Sequence, residues 1–150
     1  MNYWLMKSEP TVYSIADLER EHQTIWEGVR NYQARNFLRE MKVGDLAFLN
    51  ATPPGIAGLM RIVKSNIIDP TQFDFNSKYY DAKSTQASPR WQTVAVEFVE
   101  AFPTILSLET LKQEFSDQEL LLVKRGNRLS VMPVAEIVAE KIIALAPQSL

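Results

Sequence analysis

Leu46-Ala47-Phe48-Leu49-Asn50-Ala51-Thr52-Pro53-Pro54-Gly55-Ile56-Ala57-Gly58-Leu59-Met60-Arg61-Ile62-Val63 is the stretch that decides the fold class. Leu46–Leu49 and Ile56–Val63 are apolar runs of strand length, split by a Thr-Pro-Pro-Gly segment whose residues favour a turn. Two adjacent strands joined by that turn are the expectation. Upstream, Ala34, Phe37, Leu38 and Met41 recur at helical spacing, which predicts a helix over about 31–41, with Gly44 available to end it. Its opposite face carries Arg35, Arg39 and Lys42. Ser14-Ile15-Ala16-Asp17 is a capping-box pattern opening a short helix to about Glu21, and Tyr3–Met6 reads as a short strand. Downstream, Gln92–Phe102 alternates as a strand should, with Val94, Val96 and Phe98 on one face. The intervening 65–91 is polar and long, a length that in a compact domain shapes a site or covers a core edge. Ser107 opens an amphipathic helix through Leu108, Leu111 and Phe115; Leu121–Val123 and Leu129–Met132 read as short strands, and Val134–Leu145 as a final helix. Strands interrupted by helices without regular βαβ alternation imply an α+β fold with a curved mixed or antiparallel sheet, or a small barrel.

The chain has 150 residues, 46% hydrophobic and 23% charged, so a single domain with a real core is expected and a disordered chain is not. Zero cysteines removes disulfides, thiolate metal sites and a cysteine nucleophile; a single histidine, His22, leaves a Ser-His-Asp triad or a poly-His site one possible donor. No metal or other cofactor is expected. No apolar run approaches the ~20 residues of a membrane span, and the N-terminal Met1–Lys7 lacks the marks of a signal peptide, so a reducing cytosol is the expected setting. The formal net charge is −2, yet Arg30–Lys42 carries Arg30, Arg35, Arg39 and Lys42 against Glu40 alone, a local +3.

Three tryptophans carry most of the chemical information. Trp26 precedes Glu27, Gly28, Val29, Arg30 and Asn31, and Trp91 follows Ser88, Pro89 and Arg90, so both stand in polar surroundings. Flat rings beside amides, carboxylates and guanidinium groups suit a planar, hydrogen-bonding ligand such as a nucleobase, though an isolated tryptophan is more often a packing residue. Arg30 and Asn31 open the basic helix, where an anion is favoured, and Asn31 equally serves as a plain N-cap. Lys7-Ser8-Glu9-Pro10 gathers a cation, a hydroxyl and a carboxylate at a strand end, and Glu9 is a conceivable general base without a spaced partner. Lys124-Arg125-Gly126-Asn127-Arg128 reads as a basic turn.

Trp4-Leu5-Met6-Lys7-Ser8-Glu9-Pro10 and Trp26-Glu27-Gly28-Val29-Arg30-Asn31-Tyr32-Gln33-Ala34-Arg35-Asn36 resemble the EVE domain family. So do Gly44-Asp45, Pro54–Gly58, Tyr79-Tyr80-Asp81, Pro89-Arg90-Trp91 and Arg128–Pro133, so the likeness runs through the whole chain in order. It implies a PUA-like fold, a curved mixed sheet or pseudobarrel flanked by helices, related to YTH and ASCH domains. It also implies a non-enzymatic partner role: recognition of a methylated cytosine or adenine derivative in DNA or RNA through an aromatic pocket. By that resemblance Trp26 and Trp91 would form the cage with the Glu27 backbone beside the base, Lys7, Ser8, Arg30 and Asn31 would border it, and Arg35 and Arg39 would hold phosphate. Many EVE domains carry Tyr-His-Ser where this chain has Leu49-Asn50-Ala51-Thr52, so one pocket wall differs. The competing expectations are nucleobase-modifying or nucleolytic chemistry at Glu9 or Asp81, and a small-molecule or protein-interaction module.

Overall fold

A computed structural model describes residues 1–8, 13–51 and 55–146. Among the described residues, six strands form one mixed open sheet in the order β2-β5-β4-β3-β1-β6. In chain order these are β1 (Tyr3–Lys7), β2 (Gln23–Ile25), β3 (Leu46–Ala51), β4 (Gly55–Ile68), β5 (Gln92–Ser107) and β6 (Val131–Val134). Among the described strands only the β1–β3 pair is parallel; the other pairs are antiparallel. The helices among the described residues, α1 (Ile15–Glu21), α2 (Tyr32–Glu40), α3 (Leu108–Glu114) and α4 (Glu136–Leu145), flank it. This is the α+β architecture the strand and helix pattern implies.

The sheet separates two apolar clusters. Trp4 and Met6 of β1 and Ala47 and Leu49 of β3 face the first, with Leu18 of α1 and Ala34 and Leu38 of α2. Leu5 and Phe48 point the other way, toward Leu111 of α3 and Val138 and Ile142 of α4. A strand buried on both faces reads as a continuous apolar run, which is why 46–49 shows no alternation. β4 and β5 serve both clusters because their pairing slips at several positions, including Ile56/Gly58 and Ile62/Lys64. Each slip bends the strand and re-aims its side chains. Thus Val94 and Val96 pack in the first cluster, while Phe102 and Leu106 of the same strand pack in the second. At Gly58 the strands run so close that a Cβ would stand 2.4 Å from the Glu100 carbonyl oxygen.

Helix starts are local. Ser14 and Asp17 form the reciprocal capping box, Asn31 accepts from the Ala34 amide, and Ser107 accepts from the Thr110 amide. Several expectations need correction. α2 closes at Met41 in extended backbone, and Gly44, at φ +98°, lies in the turn into β3 rather than at the helix end. Leu121–Val123 is a 3-10 turn anchored by buried Leu122, because β6 already occupies the free edge of β1. β6 starts at Val131 and includes Val134, so α4 begins only at Glu136. The Thr52–Pro54 turn lies outside the described residues.

Candidate functional site

Lys7 and Ser8 at the end of β1, and Trp26–Arg30 following β2, bound one cavity of about 370 Å³. Tyr13, Thr24 and Ile25 close one side, and Tyr79 and Ser130 contribute the rest. That volume falls within the range of small-ligand sites, about 300–1,000 Å³.

Trp26 is fixed from behind by β5. Its amide donates to the Val94 carbonyl at 2.9 Å, and its carbonyl accepts from the Thr93 hydroxyl. The residue is 7% exposed, packing into the first apolar cluster while lining the cavity. Its indole N–H has no hydrogen-bond partner among the described residues and is not sealed from solvent. Two residues on, Gly28 adopts φ +88°, and a Cβ there would lie 2.5 Å from the Tyr79 ring. Only a glycine lets that ring rest on the backbone in this conformation. Tyr79 thereby becomes the second aromatic wall.

Arg30 locks the wall in place. Nε and Nη2 donate to the Tyr79 carbonyl at 3.0 and 2.9 Å, Nη1 to Asp69 and the Val29 carbonyl, and Nη2 also to Thr71. Its guanidinium lies 5.7 Å from the Tyr79 ring centroid and 5.3 Å from that of Trp91. Asp69, 1% exposed, accepts from Arg30, from the Gly28 amide at 2.9 Å and from the Thr71 amide at 2.8 Å. The polar stretch 65–91 is therefore clamped onto the Trp26–Arg30 segment by one arginine whose donors are all engaged.

The other expected residues lie outside this lining. Trp91 sits behind Arg30: Tyr32 stacks on it at 4.9 Å, and its indole N–H donates to Asp81 at 2.8 Å. Asn31 serves as the N-cap of α2. Arg35 donates to the Arg90 carbonyl and to Asn36 and covers the Tyr32 ring at 4.8 Å, while Arg39 stands exposed further along α2. Glu9 lies outside the described residues. Sequence reading missed Tyr13, Thr24, Tyr79 and Ser130 as lining residues. For Tyr79 the available signal was an aromatic doublet inside a polar stretch; its approach to Gly28, 51 positions away, is a tertiary fact.

Apart from Arg30, which is paired with Asp69, charge in the cavity is sparse and unpaired. Neither the Lys7 ammonium nor the Glu27 carboxylate has a partner among the described residues. Desolvation lowers the Lys7 pKa, and desolvation followed by the nearby Asp69 carboxylate raises that of Glu27. Burial, helped by the hydrogen bond to Glu21, pushes the Tyr13 phenol up to about 12. The arrangement offers two aromatic surfaces, a free indole donor, an ammonium and a carboxylate acceptor.

Comparison with known proteins sets this site in context. The EVE domain model matches residues 2–145. The human protein named thymocyte nuclear protein 1 is 40% identical over 90% of this chain and 69% of its own length. A crystal structure of human THYN1 in complex with 5-methylcytosine-containing DNA superposes with a TM-score of 0.90 at 37% identity, covering 100% of both chains. A Pseudomonas syringae protein of known structure is 49% identical, covers 95% of this chain and 98% of its own, and superposes with a TM-score of 0.91. The Pho92 YTH domain, 14% identical with a TM-score of 0.56 over 99% of this chain and 85% of its own, shares the PUA-like α+β fold alone.

One expectation is overturned here. A cytosolic setting does not stand against relatives named as a nuclear protein. A chain without cysteine has no disulfide to form or lose, so its composition does not separate one compartment from another. The family model spans nearly the whole chain, and a 40% identical relative aligns with most of it: this chain belongs to the EVE domain family.

Proposed function

We propose that this chain is a non-enzymatic reader of a modified base in nucleic acid, and that the base enters the cavity between Trp26 and Tyr79. The carrying observation is the cavity wall itself: Trp26 and Tyr79 line one cavity, the Tyr79 ring seated on Gly28, together with an unpaired indole N–H, an unpaired ammonium and an unpaired carboxylate. Base–aromatic stacking supplies affinity, and hydrogen bonds to a base edge supply choice. In this reading Glu27 accepts from an exocyclic amine, the group that cytosine and adenine both carry. A 37% identical neighbour crystallised with 5-methylcytosine-containing DNA makes that base the first ligand to test.

Binding without chemistry is supported by the carboxylates. Asp81 is held below the usual carboxylate range, chiefly by the Trp91 indole N–H and then the Lys83 amide, which makes it a weak base. Glu27 makes no hydrogen bond or ion pair with a second titratable group among the described residues.

Titration of single-stranded oligonucleotides with one 5-methylcytosine or one cytosine decides the reading. Wild-type protein should prefer the modified strand. Trp26→Ala should lose about 1–3 kcal/mol of affinity for it, the usual worth of a stacking platform, while keeping a native circular-dichroism spectrum. A folded Trp26→Ala protein with unchanged affinity would reject the base site.

A further inference from the structure

A second cavity, about 600 Å³, opens beside the first, and Lys7 lines both. Asn50 stands opposite Lys7 in the parallel β1–β3 register and forms part of this second wall. Lys112 comes from α3, and Lys124 and Arg125 come from the turn after the Leu121–Val123 3-10 segment. Four cations therefore line one concavity, and no carboxylate joins them among the described lining residues. In a chain of net charge −2 this segregation does not follow from composition.

The turn is built to present those charges. Leu122 is buried in the second core, and the Asn127 amide donates to the Lys124 carbonyl at 3.1 Å. Asn127 also donates through Nδ2 to the Leu121 carbonyl at 2.8 Å and accepts from the Leu129 amide at 3.0 Å. Asn127 thus spends its side chain inside the turn. The charged ends of Lys7, Lys112, Lys124 and Arg125 have no hydrogen-bond or ion-pair partner among the described residues. Like charges gathered in a concavity repel one another and focus a positive potential that an anion relieves.

We infer that this second cavity is the phosphodiester channel of the strand whose base enters the first, with Lys7 shared between base and backbone. The inference rests on the base-reading proposal above. It replaces the expectation that Arg35 and Arg39 hold phosphate: three of the five Arg35 N–H groups donate to Arg90 and Asn36, and neither Arg35 nor the exposed Arg39 lines either cavity. The basic turn at 124–128, featureless as sequence, gains a role only when the fold brings it to the end of β1.

The test compares salt dependence with base preference. Lys124→Gln/Arg125→Gln and, separately, Lys112→Gln are titrated with single-stranded oligonucleotides carrying 5-methylcytosine or cytosine, across a salt series, and with free 5-methyl-2′-deoxycytidine. The double variant should weaken both oligonucleotides alike and flatten the slope of log K against log salt by about 1.4, since each phosphate that is no longer neutralised on a single strand removes roughly 0.7. Lys112→Gln should flatten it by about half as much. Nucleoside binding should not change in either variant. An unchanged slope in both variants, or a slope that falls only in Arg35→Gln/Arg39→Gln, overturns the channel. So does inorganic tripolyphosphate that binds as tightly as the strand at equal phosphate, since it marks a free-anion site. Failure of the base reading has a different signature: Trp26→Ala keeps both the preference and the nucleoside affinity while the salt slopes behave as expected.

Discussion

Gly28 has φ +88°, and an added Cβ would stand 2.5 Å from the Tyr79 ring, so a single missing methyl sets the width of the cavity. An alanine there carries two costs. The backbone conformation alone is worth about 1–3 kcal/mol against a non-glycine residue, and the ring must also leave its seat. Gly28→Ala should therefore lower the urea midpoint without changing the m-value and weaken binding of the modified base. Adding Tyr79→Ala removes the collision, so stability should recover in part while base affinity stays low. Wild-type affinity in Gly28→Ala would show that the Tyr79 wall does not touch the base. The engaged donors of Arg30 explain why this geometry is rigid: the ring is held by its own backbone carbonyl, not by its hydroxyl.

Between elements, Asp45 does for the first core what Arg30 does for the cavity. It is 3% exposed and accepts from the Asn2 amide, the Trp4 indole N–H and the Lys42 amide, each at 3.0 Å, joining the start of β1 to the link between α2 and β3. Desolvation pushes its pKa up, but these three donors outweigh it and leave the pKa lowered. A carboxyl depressed on folding contributes stability that is full above its unfolded pKa, about 3.9, and is lost as pH falls through the lower folded value. Asp45→Asn should cost about 1.5–3 kcal/mol at neutral pH, the worth of hydrogen bonds to a charged group. The two proteins should converge in stability as the pH drops below that window. A constant gap from pH 7 to pH 2 would contradict this account. The same scale shows what is local in the sequence and what is not. Helix starts at Ser14, Asn31 and Ser107, and the apolar runs at 46–49 and 56–63, are local signals, and each became the element it implied. β4 and β5 overran their expected ends, at Ile68 and Ser107, because bulges break the two-residue period that marks a strand. Leu121–Val123 is apolar like a strand, but strand pairing depends on a free edge that only the assembled sheet reveals. Trp26 was legible because its polar neighbours follow it directly, whereas the seat of Trp91 behind Arg30 depends on contacts made across some 60 positions.

On the scale of the molecule, three of the pieces that the cavity joins lie far apart in the chain: the end of β1 at Lys7, the Trp26–Arg30 segment and the 65–91 stretch at Tyr79. A ligand held by all three binds the folded state and not the unfolded chain, so occupancy stabilises the whole domain by mass action. At a free ligand concentration 100 times its Kd the gain is about 2.7 kcal/mol. For a domain of this size, with about 2–4 °C per kcal/mol, the melting temperature should rise by roughly 5–11 °C. Free 5-methyl-2′-deoxycytidine and 2′-deoxycytidine at equal concentration then report preference directly. A tenfold difference in Kd, about 1.4 kcal/mol, should separate the two melting curves by roughly 3–6 °C. Both nucleosides should be recovered unchanged after prolonged incubation, since a reader returns its ligand and an enzyme does not. Equal shifts for the two nucleosides in the wild type would mean that the cavity holds a base without reading its methyl group. If only the modified nucleoside stabilises and Trp26→Ala abolishes that shift, the discrimination resides between Trp26 and Tyr79, independent of any phosphate.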